Sequence, residues 1–465
     1  MSDCADRTVT AELLARYDRP GPRYTSYPTA VEFHPGVGET VYEARLAAAD
    51  ERRDTPLSIY VHLPFCEHRC LFCGCNVIIA PDKRRTAPYL DLLRTEAAMI
   101  AERLPHRRKL SQLHLGGGTP TYFSPQMLAD WVRGLFGLFE PTEGAELAVE
   151  ADPRVTTEDH VAALAEVGFN RISFGVQDFT PEVQEAIGRT QPYDVTRRLV
   201  ESARAHQYEG INVDLIYGLP FQTPEALART VDSVVELGAD RAAVYSFAYL
   251  PSMHGHMKRI APDALPDRDR KFAIFAAARE RFLAAGFEPI GMDHFARSDD
   301  ELAIAARQGR LRRNFQGYSV QPADDVVGLG VSAIGDVGGS YVQNAKKLSN
   351  YQRRIRERRL AVERGIETSV DDRMRRHVID ALMCNGLIEV RDFERRFGLQ
   401  FSRYFAEDLK LLREHEREGM VRISDLRVEA TPAGCLFLRN LAMCFDAYLR
   451  RPDTAHARPA FSRTI

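Results

Sequence analysis

The chain has 465 residues, 45% hydrophobic and 27% charged, with a formal net charge of −3. That supplies apolar material for a large ordinary core, and the near balance of charge argues against a nucleic-acid-binding body or a polybasic membrane tail. Met1-Ser2-Asp3-Cys4-Ala5-Asp6 lacks the basic and apolar regions of a secretory signal, and no stretch approaches the ~18 apolar residues of a membrane span.

Residues 1–55 form a polar arm containing Gly21-Pro22-Arg23-Tyr24-Thr25-Ser26-Tyr27-Pro28-Thr29. Its Gly, Pro and Tyr argue against a helix. Two readings stand: tyrosines packed on the wall of the main domain, or a substrate lid.

From residue 56 to 291, short β-branched runs alternate with longer helical patterns. The predicted strands are Leu57–Leu63, Gln112–Leu115, Glu146–Glu150, Arg171–Val176, Ile211–Ile216 and Ala242–Phe247. The helical segments include Tyr89–Leu104 and others beginning near Pro125, Thr157, Asp194, Thr223 and Asp267. Repeated strand–helix units imply an α/β fold with a parallel sheet and right-handed crossovers. In barrels of this kind chemistry sits at the C-terminal ends of the strands.

Residues 292–369 are a connecting segment carrying the glycine-rich stretch Gly328–Gly335, followed by a charged helix over 351–359. Residues 370–465 form a mainly helical C-terminal domain. A hairpin over Val421–Ala430 and a last amphipathic helix near Pro432–Leu449 give it a winged-helix-like order. That order does not by itself imply DNA binding, and the arginine clusters at 353–359 and 373–376 read as solvated helix faces.

Directly after the first strand comes Cys66-Glu67-His68-Arg69-Cys70-Leu71-Phe72-Cys73-Gly74-Cys75. A cubane iron–sulfur cluster takes four thiolates. Three thiols on one short loop leave the fourth iron open to a small molecule. A structural zinc site is the alternative, but zinc hairpins are separated by about 12–20 residues, whereas here four cysteines crowd into ten positions. Cys384, Cys435 and Cys444 read as buried free thiols, and the chain as cytoplasmic and reducing.

Other motifs fall at the remaining strand ends. They are Gly116-Gly117-Gly118-Thr119-Pro120, Val149-Glu150-Ala151-Asp152-Pro153, Gly175-Val176-Gln177-Asp178-Phe179, Arg189, Asp214 before Tyr217-Gly218-Leu219-Pro220, and Ala248. Each is weak alone: a glycine triplet usually means a tight turn, and a lone carboxylate a cap.

Taken together these residues resemble the radical S-adenosylmethionine (SAM) superfamily. Cys75 and the Tyr24–Thr29 string resemble its oxygen-independent coproporphyrinogen III oxidase branch. The resemblance implies a partial (β/α)6 TIM-like barrel and a 4Fe-4S cluster held by Cys66, Cys70 and Cys73, with Cys75 not a ligand. It implies two SAM molecules. Tyr60, Gly117, Gly118, Thr119, Glu150 and Ile334 map to the first, and Gln177, Arg189, Asp214 and Ala248 to the second; Phe72 offers an apolar face for an adenine. On the sixth strand the chain departs from the family expectation, with Tyr249 where a histidine is usual.

The implied reaction is oxidative decarboxylation of two propionates of coproporphyrinogen III to vinyl groups, in haem biosynthesis. It is driven by a 5′-deoxyadenosyl radical made from SAM. Implied partners are this substrate and an electron donor such as a flavodoxin or ferredoxin, with no nucleic acid and no membrane; a monomer is expected. Arg23 is the expected grip for a substrate carboxylate. Asp293 and His294 are acid–base candidates that the sequence does not position, and His254 and His256 read as a surface loop. Two other readings compete: a radical SAM-like haem chaperone, which typically lacks the fourth cysteine and the arm, and a zinc-stabilised winged-helix regulator.

Overall fold

The computed structural model describes residues 9–320, 323–451 and 461–464; the first eight residues of the expected arm lie outside it. Six parallel strands form the barrel wall: β1 (Leu57–Leu63), β2 (Lys109–Gly117), β3 (Glu140–Ala151), β4 (Arg171–Gln177), β5 (Gly210–Tyr217) and β6 (Arg241–Ser246). Between them run helices α1 (Ala87–Arg103), α2 (Pro125–Phe136), α3 (Glu158–Glu166), α4 (Tyr193–Ala205) and α5 (Pro224–Glu236), and α6 (Arg268–Ala284) follows β6. Their starts are written locally. Thr223 Oγ1 accepts from Ala226 N (3.2 Å), Asp267 from Arg270 N (2.8 Å), and Pro125 and Pro224 occupy first turns, where a missing N–H costs nothing.

The sheet is larger than six strands and does not close. Beside β6 lie β7 (Phe287–Ile290) and β8 (His294–Arg297), with β8 antiparallel to β6. Beside β1 lies β9 (Val326–Leu329), parallel to it, then antiparallel β10 (Ile334–Val337), β11 (Ser340–Asn344) and β12 (Val362–Glu367). The glycine-rich stretch, read from sequence only as a connection, thus supplies two strands. Its glycines allow close passage: a Cβ on Gly328 would sit 2.8 Å from the Ile334 carbonyl carbon.

Two buried polar groups pin this added edge. Glu96 of α1 accepts from Gly330 N, Asn344 Nδ2 and Tyr351 Oη, each at 2.7 Å. Burial outweighs these bonds and raises its carboxyl to about 7. The folded chain therefore keeps a proton that the unfolded chain loses above about 4.5. Glu96's contribution is full below that value and is lost as pH rises through about 7. Urea midpoints measured across that window should fall with rising pH in the wild type and flatten in Glu96→Gln.

The C-terminal segment builds on α7 (Val370–Asn385), capped by Ser369 at its start and by Gly386 in the left-handed region at its end. A small antiparallel sheet of Leu387–Glu389, Val421–Ile423 and Arg427–Ala430 includes the expected hairpin. The expected final helix is broken. A 3-10 turn (Gly434–Phe437), a short helix (Leu438–Met443) and a second turn (Tyr448–Arg450) replace it. Asp446 interrupts the spiral by accepting from the Tyr24 hydroxyl (2.9 Å) and from Tyr448 N (2.9 Å). Tyr24 and Tyr27 are buried among the C-terminal helices, not on the barrel wall. No helix among the described residues is long and apolar enough to cross a membrane.

Candidate functional site

The mouth of the barrel is built from the ends of β1 to β6. Beyond β1 the cysteine loop closes on itself: Arg69 donates to Val77 O (3.1 Å), Leu71 N to Ile187 O (3.0 Å) and His256 Nε2 to Cys73 O (2.8 Å). His256, read as surface, thus braces this loop. Cys66 Sγ lies 3.5 Å from Thr119 Oγ1. The buried Cys70 Sγ receives two guanidinium donors, Arg154 Nη2 (3.3 Å) and Arg189 Nη1 (3.4 Å). Both arginines also hold Asp152, at 2.7 and 2.9 Å. A hydrogen bond with Cys75 favours the Cys73 thiolate over the thiol, and Arg69 and Arg189 act in the same sense; Cys75, near Glu150, shifts up. Burial pushes Cys66 up to about 11. Among the described residues no three His, Cys, Asp or Glu side chains converge on a single-ion site.

The glycine triplet runs against the start of the cysteine loop. Gly118 N donates to Leu63 O (2.8 Å) and Thr119 N to Phe65 O (3.0 Å). A Cβ on Gly118 would lie 2.6 Å from the Pro64 backbone, and Gly117, at φ +108°, would meet His62 at 2.5 Å. Glycine is required at both positions. Glu150, at the end of β3, accepts from Gly117 N (3.0 Å) and His114 Nε2 (3.1 Å). Burial would raise its carboxyl, but these bonds and the nearby histidines hold it below the ordinary range. Tyr60 Oη donates to His62 Nδ1 (3.0 Å), and His62 Nε2 donates to Asn76 O (3.0 Å), which fixes a neutral ring; burial lowers its pKa accordingly.

Gln177 ends β4 in the left-handed region, φ +70°, a strained position for a side-chain-bearing residue. Asp214 accepts from Ser173 Oγ (3.0 Å) and Asn212 Nδ2 (2.9 Å); burial, then the charge on Glu150, raises it to about 6. Thus Cys66 meets Thr119, Cys70 meets Arg189 and Gly117 meets Glu150. Other expected residues keep their own neighbours. Phe72 packs with Leu71 and Phe247, Ile334 opens β10 beside Tyr341, and Ala248 follows β6 with its side chain half-buried.

Below the mouth a cavity of about 130 Å³ is lined by His114, Glu150, Asp214, Tyr245, His294 and Tyr318, among others. His294 Nδ1 lies 2.7 Å from Asp293 Oδ1, and Arg23 pairs with the other oxygen of Asp293. Burial opposes ionisation of Asp293, but His294, Arg23 and Arg313 hold its carboxyl well below the usual range. Arg23, expected to grip a substrate, already has this internal partner. Sequence reasoning missed Arg154, His114, Tyr245 and this Asp293–His294–Arg23 group. Strand alternation could have found His114, two positions from Gln112 on the same face, and Tyr245 likewise. The Arg23 contact joins residues too far apart in sequence for any local signal.

Residues 60–234 match the radical SAM superfamily and residues 368–437 the HemN C-terminal domain. An oxygen-independent coproporphyrinogen III oxidase of Pseudomonas aeruginosa is 44% identical over 459 residues, covering 98% of each chain. One from Escherichia coli is 43% identical over 455 residues, covering 97% of this chain and 98% of its own. The solved structure described as coproporphyrinogen III oxidase (HemN) from Escherichia coli, a radical SAM enzyme, superposes with a TM-score of 0.88 at 42% identity. It covers 92% of this chain and 97% of the other.

Proposed function

Because the chain belongs to the oxygen-independent coproporphyrinogen III oxidase family of radical SAM enzymes, we infer that it converts two propionates of coproporphyrinogen III to vinyl groups in haem biosynthesis. The observation that carries this reading is the Cys70 thiol, seated between Arg154 and Arg189 beside the glycine cradle at the barrel mouth. The relatives that share the chain end to end bear the oxidase name, which favours neither the haem chaperone nor the zinc regulator.

The residues fit the cofactors of a radical SAM enzyme. Three thiols share one loop, two cations face one of them, and the buried Arg189 Nε has no partner. Cys66, Cys70 and Cys73 are the proposed ligands of a 4Fe-4S cluster. The proposal assigns Tyr60, Phe72, Gly117, Gly118, Thr119, Glu150 and Ile334 to one SAM, and Gln177, Arg189, Asp214 and Ala248 to a second. When bound, the cluster and SAM supply one reducing electron and a carbon radical able to take a hydrogen atom from a propionate.

The chain's own work is positional. Glu150 and the Gly117 backbone offer a carboxylate and a close surface for an ammonium group. Arg154 and Arg189 stabilise negative charge on sulfur. The buried mouth excludes water from a reactive radical. A flavodoxin- or ferredoxin-type protein is the proposed electron donor, approaching the exposed Gly74, Cys75 and Asn76; a cytoplasmic monomer is the proposed state.

The test is anaerobic reconstitution with iron and sulfide, then dithionite and SAM. 5′-Deoxyadenosine should form, and with coproporphyrinogen III the vinyl product should appear. SAM cleavage without any decarboxylation would overturn the assignment. Cys75→Ser should retain full iron content, because Cys75 is outside the proposed ligand set; loss of about a quarter or more of the iron would place it inside.

A further inference from the structure

A second cavity, of about 40 Å³, lies outside the barrel wall where β5, β6, α6, the arm and the C-terminal helices meet. Arg23, Ser246, Phe275, Met292, Leu438 and Arg439 are among its walls. It is polar and cationic at one end and apolar at the other.

Its charge balance is unusual. Arg439 is 5% exposed and has no carboxylate partner among the described residues. Its guanidinium is solvated by backbone: Nε donates to Pro22 O (3.1 Å), Nη1 to Arg463 O (2.8 Å), and Nη2 to Gly21 O and to Ser462. Nη1 carries two hydrogens and has one printed acceptor, so one N–H is left over. Around Arg439 stand the cations Arg23, Lys271, Arg313 and Arg463. The carboxylates facing this group are Asp293, shared by Arg23 and His294, and Asp18, held by Arg463. Buried cations in excess of carboxylates are costly unless an anion completes the set. Consistently, burial and the charge on Arg23 push Arg439 down to about 9.

We propose that this cavity binds a carboxylate on an apolar arm, namely a propionate of the substrate that does not react, gripped by Arg23 and Arg439. This rests on the coproporphyrinogen reading above. Two of the substrate's four propionates survive the reaction, so an anchor for one of them is chemically required to be inert. The cavity satisfies that. The Tyr245 ring, with the Arg23 guanidinium 5.7 Å from its centroid, lines the barrel cavity and stands between the two spaces. The apolar walls Phe275, Met292 and Leu438 suit the methylene arm and pyrrole edge. The head of the cavity has room for a carboxylate and not for a ring.

The experiment is equilibrium binding of coproporphyrin III, the stable oxidised form, to the full chain, followed by fluorescence. Its tetramethyl ester is the uncharged control. Arg23→Gln and Ser246→Asp are compared with wild type; the second leaves both arginines in place but installs a competing carboxylate. Each should weaken coproporphyrin III binding by about tenfold or more and leave ester binding unchanged. In the reconstituted enzyme KM should rise more than kcat falls. Equal affinity in all three proteins, or equal loss with the ester, overturns the subsite while leaving the enzyme assignment standing. A wild type that binds no coproporphyrin III overturns both. Propionate that raises the thermal midpoint without competing with coproporphyrin III would assign the cavity to a free small acid and overturn the substrate assignment.

Discussion

Cys70→Ala will leave the chain folded and unable to cleave SAM. Cys70 is buried and its sulfur accepts from Arg154 and Arg189. Without it the two guanidiniums still share Asp152, so the loss of stability in the cofactor-free chain should be modest, about 1–2 kcal/mol. The proposed cluster, by contrast, would lose one of three protein ligands. Iron and sulfide content after anaerobic reconstitution should fall to background, with 5′-deoxyadenosine undetectable and far-ultraviolet dichroism unchanged. Wild-type iron content in the variant would contradict the ligand assignment.

The second large effect concerns the fold. Arg107 is fully buried and Asp325 nearly so, and they form an ion pair. Arg107 also donates to Thr55 O (2.7 Å), Ala49 O (3.1 Å) and Pro56 O (3.2 Å), while Asp325 accepts from Arg52 and from Gly338 N (2.8 Å). The pair therefore ties the chain entering β1 to the chain entering β9. Asp325→Ala strands a buried guanidinium and should cost about 3–5 kcal/mol. Equilibrium denaturation of the cofactor-free chain measures it. A loss below about 1 kcal/mol, the range of an exposed pair, would show that the network carries little stability.

Much of the barrel was legible because its signals are local. Thr223 and Asp267 are read as helix starts from side-chain chemistry alone, and each caps its helix. Leu57–Leu63 is apolar on both faces, as a strand covered on both sides must be. The cysteine loop and glycine triplet were legible because ligand chemistry demands residue types at fixed spacing. What failed depends on distant partners. Val326–Leu329 is short and glycine-bearing, and becomes a strand only because β1 offers an unpaired edge. Asp446 breaks the last helix because Tyr24 arrives from the other end of the chain. Arg23 looked available for a ligand because nothing near it in sequence announces Asp293.

The pairing of Ser58 with Val326 also constrains how the molecule is made. Strands β1 to β6 leave the ribosome first and can assemble in order, but the outer flank of β1 has no neighbour until β9 is synthesised. During that interval a nascent chain exposes a hydrogen-bonding ribbon next to the thiol loop. Such an edge invites intermolecular strand addition. Translation paused before β9 should therefore yield aggregation-prone, chaperone-bound intermediates, and pausing after β12 should not.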